Sequence, residues 1–247
     1  MAQVLICGTL AFDDIGACKA PLDAGTRNVK LDHLHQSFGG CAMNIAYNLA
    51  GLGHDSTPFV YAGDDYAGAY ARHVAASGIS RAGIVTVPGT PCARGIVLTG
   101  RDGAQFTAFY PGPTGTARWP TDLEGLLAGR TFDAAILAPD LPGKMAGCAQ
   151  KLHRTPLRIW CPGQYAEALE PAEIDAVLAH ATVLVVNRHE WRALRRHRSQ
   201  RRLLAAGRRA VITDGPRPVE VLPERVRVPV PEAPPAAWRD PTGCGDA

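Results

Sequence analysis

Short, almost wholly apolar runs recur along the chain with helix-like stretches between them, and this alternation limits the folds open to it. Residues 4–7, 58–61, 134–137, 157–160, 183–186 and 210–213 have the character of strands buried on both faces. Residues 44–52, 66–77, 144–152, 171–180 and 190–196 read as helices, and Pro171 opens one of them where no N–H is needed. Strand and helix in turn predict an α/β fold, a mostly parallel sheet covered by helices on both faces. A chain of 247 residues has room for one such domain and a small addition.

Two segments break the rhythm. Residues 14–36 and 91–110 are richer in alternating patterns, and Gly100-Arg101-Asp102-Gly103 divides the second segment as a hairpin turn would. They predict a small β appendage projecting from the main sheet, with edge strands of that same sheet as the alternative. Residues 214–240 carry prolines at 216, 218, 223, 229, 231, 234 and 235 and predict a strand-poor connection.

A formal charge of +3 is too small to point to nucleic acid or a membrane surface. The arginine run at positions 192, 195, 196, 198, 201, 202, 208 and 209 reads as a solvated helix face. Seven cysteines are scattered without a C-x-x-C pair, which suits a reducing cytoplasm. The apolar start before Gly8 is too short for a signal peptide, and no apolar stretch approaches the roughly 18 residues of a membrane span.

The sharpest chemical feature is Asp240-Pro241-Thr242-Gly243-Cys244-Gly245-Asp246. Two glycines around one small residue let successive N–H groups converge on an anion, and an Asp beside such a nest could take a proton from an attacking hydroxyl. Alone, it could equally be an ordinary turn. A second cluster, Gly39-Gly40-Cys41-Ala42-Met43-Asn44-Ile45-Ala46, is followed by Gly53 and Gly63. Its paired glycines allow close backbone approach, and Asn44 can both donate to and accept from a polyol.

Taken together, G-G-x-x-x-N-x-A near one end and D-P-x-x-G-x-G-D at the other resemble the two signatures of the ribokinase-like (PfkB) carbohydrate kinases. The resemblance runs over essentially the whole chain. It implies a ribokinase-like three-layer fold with a small β lid, built from the 14–36 and 91–110 segments. It implies an ATP-dependent phosphotransferase, with Mg²⁺ as cofactor and room for a monovalent cation such as K⁺. By the same matching, Asp246 is the base, and Gly243, Cys244 and Gly245 form the anion hole. Asp13, Gly39, Gly40 and Asn44 hold the acceptor; Asn187, Thr213 and Gly215 lie along the nucleotide, and Glu190 serves the metal. Gly63-Asp64-Asp65 with Gly68 matches the family's G-x-D-x-x-G turn. Phe38-Gly39-Gly40, the run from Thr107 to Gly112 and Pro162-Gly163-Gln164 are most similar to bacterial adenosine-kinase-like members, so a nucleoside acceptor leads and a sugar follows. Phe106, Phe109 and Tyr110 could stack a purine or simply pack. The expected partners are small molecules, with a homodimer through the lid admitted by the resemblance, and no nucleic acid or membrane.

Three departures stand against the pattern. Cys161 replaces an Asp ahead of Pro-Gly-Gln, and Asp214 puts a carboxylate where polyphosphate would lie, with Pro216 and Pro218 after it. Family members also continue beyond the residue matched by Asp246, which makes a C-terminally truncated, catalytically impaired remnant that only binds its ligand the competing reading. A dinucleotide-dependent oxidoreductase fails because Gly8-Thr9-Leu10-Ala11 lacks G-x-G-x-x-G, and there is no G-x-x-x-x-G-K-[ST] loop.

Overall fold

The computed structural model of the protein describes residues 2–231 apart from Ala24 and Ala117. In chain order its elements are β1 (Gln3–Cys7), β2 (Ala11–Ala17), β3 (His33–Gly39), α1 (Cys41–Gly51), β4 (Asp55–Ala62), α2 (Ala69–Ala76), β5 (Ile84–Thr86), β6 (Ala93–Thr99) and β7 (Gln105–Tyr110). Then come α3 (Trp119–Leu127), β8 (Ala134–Leu137), α4 (Pro142–Lys151), β9 (Leu157–Trp160), α5 (Pro171–Leu178), β10 (Val183–Asn187), α6 (Arg188–His197), α7 (Gln200–Leu203), β11 (Arg209–Asp214), β12 (Arg217–Leu222) and β13 (Val226–Val228).

Nine strands form the main sheet in the order β13-β12-β11-β10-β9-β8-β1-β4-β5. It is parallel from β11 to β5 and antiparallel at β12 and β13. Successive strand residues point to opposite faces, and the core divides accordingly. Leu5, Cys7, Phe59 and Tyr61 pack with Met145, Ile174 and Leu194 from α4, α5 and α6. Val4, Ile6, Val60 and Ala62 pack with Ile45, Ala46 and Val74 from α1 and α2. Helices on both faces of a largely parallel sheet make the three layers.

β2, β3, β6 and β7 form a separate four-stranded sheet in the order β3-β2-β6-β7. Its strands span residues 11–39 and 93–110, reaching closer to the main sheet at the first boundary than the sequence pattern suggests. Between β6 and β7 the turn closes with Gly103 at φ +78°, which glycine adopts without a Cβ clash.

Other expectations need correction. The first helix begins at Cys41, three residues before Asn44, because Gly40 at φ +91° is the last residue outside it. The single helix expected over 66–77 is a short 3₁₀ turn, Asp64–Ala67, followed by α2, with the non-helical Gly68 between them. Residues 214–240 are not strand-poor throughout, since β12 and β13 lie inside them. Pro218 is tolerated in β12 because it falls at the register shift between Ile212 and Asp214, where no ladder N–H is required of it.

The arginine run is only partly a solvated face. Arg208 is buried and donates to the carbonyls of Ala181 (3.0 Å), Leu203 (2.7 Å) and Leu178, tying the ends of α5 and α7 together. Arg198 binds both carboxylate oxygens of Asp175, at 2.9 and 2.8 Å. Arg208→Met should therefore destabilise the protein by about 2–4 kcal/mol, since three carbonyls lose a charged donor. Arg195→Met, on the exposed side of α6, should stay within about 0.5 kcal/mol. Urea unfolding of both variants decides this; equal midpoints would make Arg208 one more surface cation.

Candidate functional site

Asp13 lies inside β2, not at a strand end, and its place is made by glycines. It pairs with Ser37 on β3 and Gly95 on β6. A Cβ on Gly39 would stand 1.9 Å from Asp13 Oδ2, and one on Gly95 would stand 2.6 Å from Oδ1. Both separations are far inside van der Waals contact, so the carboxylate occupies the volume that two side chains would fill. Gly40 answers a different need: its φ is positive, and a Cβ there would meet Thr9 O and Ala11 N at 2.6 Å. Thr9 then caps α1, its hydroxyl accepting from Cys41 N (3.3 Å) and its carbonyl from Ala42 N (3.2 Å). Asn44 follows in the first turn of α1, half-buried. Tyr70 donates to Gly39 O at 2.6 Å; burial first, and the Asp13 charge after it, hold the phenol proton well beyond its usual range.

A second group lies at the ends of β10 and β11. Asn187 and Thr213 are register partners there, side by side, and Gly215 follows at φ +58°. Asn187 and Glu190 form a reciprocal capping box for α6. Asn187 Oδ1 accepts from Glu190 N (2.8 Å), while Glu190 accepts from Asn187 N (3.0 Å) and Nδ2 (2.7 Å). Among the described residues no group of three or more His, Cys, Asp or Glu could hold a metal ion. With its oxygens engaged by Asn187 N and Nδ2, the Glu190 carboxylate suits a hydrated Mg²⁺ better than direct ligation. Asp214 is not a bare negative charge: Arg188 Nε lies 3.7 Å and Arg217 Nη1 3.3 Å from its Oδ2.

Asp246, Gly243, Cys244 and Gly245 lie outside the described residues. Of the aromatic residues on β7, register places only Phe109 on the Asp13 face, opposite Gly95; Phe106 and Tyr110 face the other way. A cavity of about 300 Å³ opens beside Asn44, lined by Ser37, Phe38, Tyr47, Tyr70 and His73. His73 is stacked between Phe38 and Tyr47, with centroids at 4.7 and 5.5 Å. Sequence reasoning passed over Gly95 and Thr9, which carry no motif. It also missed the buried pair Asp140–Lys144 (2.6 Å), just beyond β8, whose ammonium sits 5.1 Å from the Tyr61 ring centroid. The only signal for that pair was two opposite charges four residues apart after an apolar strand.

The profile of the pfkB family carbohydrate kinases matches residues 1–247. No curated protein matches the chain in sequence. The nucleoside kinase of Burkholderia thailandensis in complex with inosine is 27% identical, with a TM-score of 0.86 over 98% of this chain and 80% of that one. The nucleoside kinase of Methanocaldococcus jannaschii is 20% identical, with a TM-score of 0.85 over 100% and 81%. Ribokinase from Cryptococcus neoformans in complex with ADP is 15% identical, with a TM-score of 0.81 over 100% and 84%. At such identities the last two carry the fold alone.

The Gly63-Asp64-Asp65 turn clamps the loop that leads into β6. Asp64 accepts from Gly89 N (2.9 Å), Asp65 from Cys92 N (2.7 Å), and Gly63 N donates to Cys92 Sγ (3.1 Å). Burial and the Asp65 carboxylate push the Cys92 thiol up to about 12. Burial works to raise Asp65, but the thiol and N–H of Cys92, with Arg94, outweigh it and hold the carboxyl below its usual range. A depressed carboxylate stabilises the fold above its unfolded value, and that contribution is lost as pH falls through the folded one. Asp65→Asn should thus cost about 1–2 kcal/mol at neutral pH, a deficit that shrinks below about pH 4. A deficit in urea midpoints that stays constant from pH 7 to pH 3 would contradict the clamp.

Proposed function

Because the chain belongs to the pfkB family of carbohydrate kinases, we propose that it transfers the γ-phosphate of ATP to a hydroxyl of a purine nucleoside. The observation that carries this reading is the Asp13 carboxylate, seated on Gly39 and Gly95 in a sheet that projects from the main sheet. A carboxylate fixed in that way is suited to gripping the hydroxyls of a ribose, with Gly40 and Asn44 beside it.

Support for a nucleoside over a free sugar comes from two sides. The Burkholderia enzyme, at 27% identity, is a nucleoside kinase solved with inosine, and another structure of it contains ADP and inosine. On this chain Phe109 shares the Asp13 face, where its ring can stack on a base. ATP would lie along Asn187, Thr213 and Gly215, and the Asp214 charge, offset by Arg188 and Arg217, is no obstacle to it. Mg²⁺, reached from Glu190 through water, would neutralise charge developing on the phosphates. Asp246 serves as base, with Gly243, Cys244 and Gly245 as the anion hole, by the motif match. No helix among the described residues is long and apolar enough to cross a membrane. The reducing cytoplasm is the compartment proposed. Leu34, Ile96 and Phe106, exposed on the face of the smaller sheet away from Asp13, are what a homodimer through this lid would cover.

The test is an ADP-release assay with adenosine, inosine and ribose as acceptors. A nucleoside should support turnover and free ribose should not match it. Asp246→Asn should lower turnover by about 10²–10⁴, the range for a lost general base, and leave acceptor binding intact. Asp13→Ala and Asn44→Ala should each weaken acceptor binding by roughly 1.5–3 kcal/mol. Acceptor binding without ADP release would favour the binding-only remnant; neither binding nor release would remove the kinase reading for this chain.

A further inference from the structure

The chain passes between the two sheets where Ala11 begins β2, Gly39 ends β3, Ala93 begins β6 and Tyr110 ends β7. These residues lie along one margin of the smaller sheet. A sheet attached along one margin can tilt about it, and any tilt moves Asp13 relative to the strand ends of the main sheet.

One row outward, on the face opposite Asp13, Arg94 stands beside Phe12 with its guanidinium 5.4 Å from the ring centroid. Its Nη1 donates to Asp14 Oδ2 at 2.9 Å and its Nη2 to Asp65 Oδ2 at 3.1 Å. Asp14 belongs to the smaller sheet and directly follows Asp13. Asp65 belongs to the 3₁₀ turn on the main body, where it also accepts from Cys92 N. One planar fork thus joins the smaller sheet to the body across the margin on which it turns. All three side chains are between a fifth and a third exposed, so the bridge is not fully screened by water.

We propose that Arg94 is a positioning residue: by bridging Asp14 to Asp65 it fixes the angle of the smaller sheet and so sets where Asp13 meets the acceptor. The acceptor half of this statement rests on the function proposed above; the mechanical half does not. Arginine suits the task because its fork reaches two carboxylates at once, whereas the single ammonium of lysine would hold one firmly.

The experiment compares the full chain with its Arg94→Met and Arg94→Lys variants. Amide hydrogen exchange, without ligand, should be about tenfold faster in β2 and β6 of Arg94→Met, unchanged in β1 and β4, and intermediate in Arg94→Lys. Equal exchange in β2 and β6 of wild type and Arg94→Met would overturn the proposal. So would a uniform acceleration that includes β1 and β4, because Arg94 would then only stabilise the fold. If Arg94→Met does not fold, Arg94→Lys alone decides: faster exchange confined to β2 and β6 supports the bridge, and wild-type exchange overturns it. With adenosine as acceptor, KM should rise about tenfold in Arg94→Met, while KM for ATP and kcat hold. An unchanged acceptor KM in a wild type that turns over would overturn the positioning of Asp13. A wild type with no acceptor turnover would sink the proposed function instead, with the exchange comparison still deciding the bridge.

Discussion

A carboxylate lodged where two side chains are missing is the constraint from which the rest of this site follows. Asp13 can stand on this face of β2 only because its cross-strand partner on β6, Gly95, and the residue diagonal to it on β3, Gly39, are glycines. Gly39 must then be followed by a residue that turns the chain sharply back along Thr9–Ala11, and only a glycine takes φ +91° at so close an approach. That turn starts α1 with its first N–H groups on Thr9, which delivers Asn44 to the same region. Asp13, Gly39, Gly40 and Asn44 are therefore one mechanical unit, and changing one moves the others.

Charge is handled by pairing wherever it comes near the strand ends. Asp214 has Arg188 and Arg217, Glu190 has the N–H groups of Asn187, and Asp65 has Arg94 and Cys92. Carboxylates paired in this way do not present a bare negative field, which matters at the C-terminal ends of a parallel sheet, where such folds bind ligands. Under the positioning role proposed for Arg94, this electrostatics also bears on where Asp13 stands. The contacts that keep Asp65 ionised also reach the smaller sheet, so the charge balance and the placement of Asp13 share one residue, Arg94.

Much of the framework was legible because parallel strands buried on both faces are written as unbroken apolar runs: residues 134–137 and 157–160 are strands with those same ends. The paired glycines and Asn44 were legible as a motif, although the reason for Gly39 lay elsewhere. Its partner is Asp13, 26 positions earlier in the chain, and no local pattern reports such a contact. Gly95 was missed for the same reason: a lone glycine inside a strand looks like a weak strand until its cross-strand neighbour is known. β12 and β13 were hidden by Pro218 within β12 and by Pro223 and Pro229 beside the strands, since the effect of a proline depends on register, which local sequence leaves open. Arg208 read as part of a surface run because burial of a long side chain is decided by the carbonyls around it.

The central claim is that the missing side chain of Gly95 lets Asp13 hold the acceptor, and Gly95→Ala tests it by crowding the Asp13 carboxylate without removing any polar group. Acceptor affinity should be measured by calorimetry with adenosine on wild type and variant, beside the thermal midpoint of each. The account predicts affinity weaker by about 10–100-fold, the loss of one charged hydrogen bond, with a midpoint within a few degrees of wild type. Unchanged affinity, or a loss that merely follows a collapse of the fold, would contradict it.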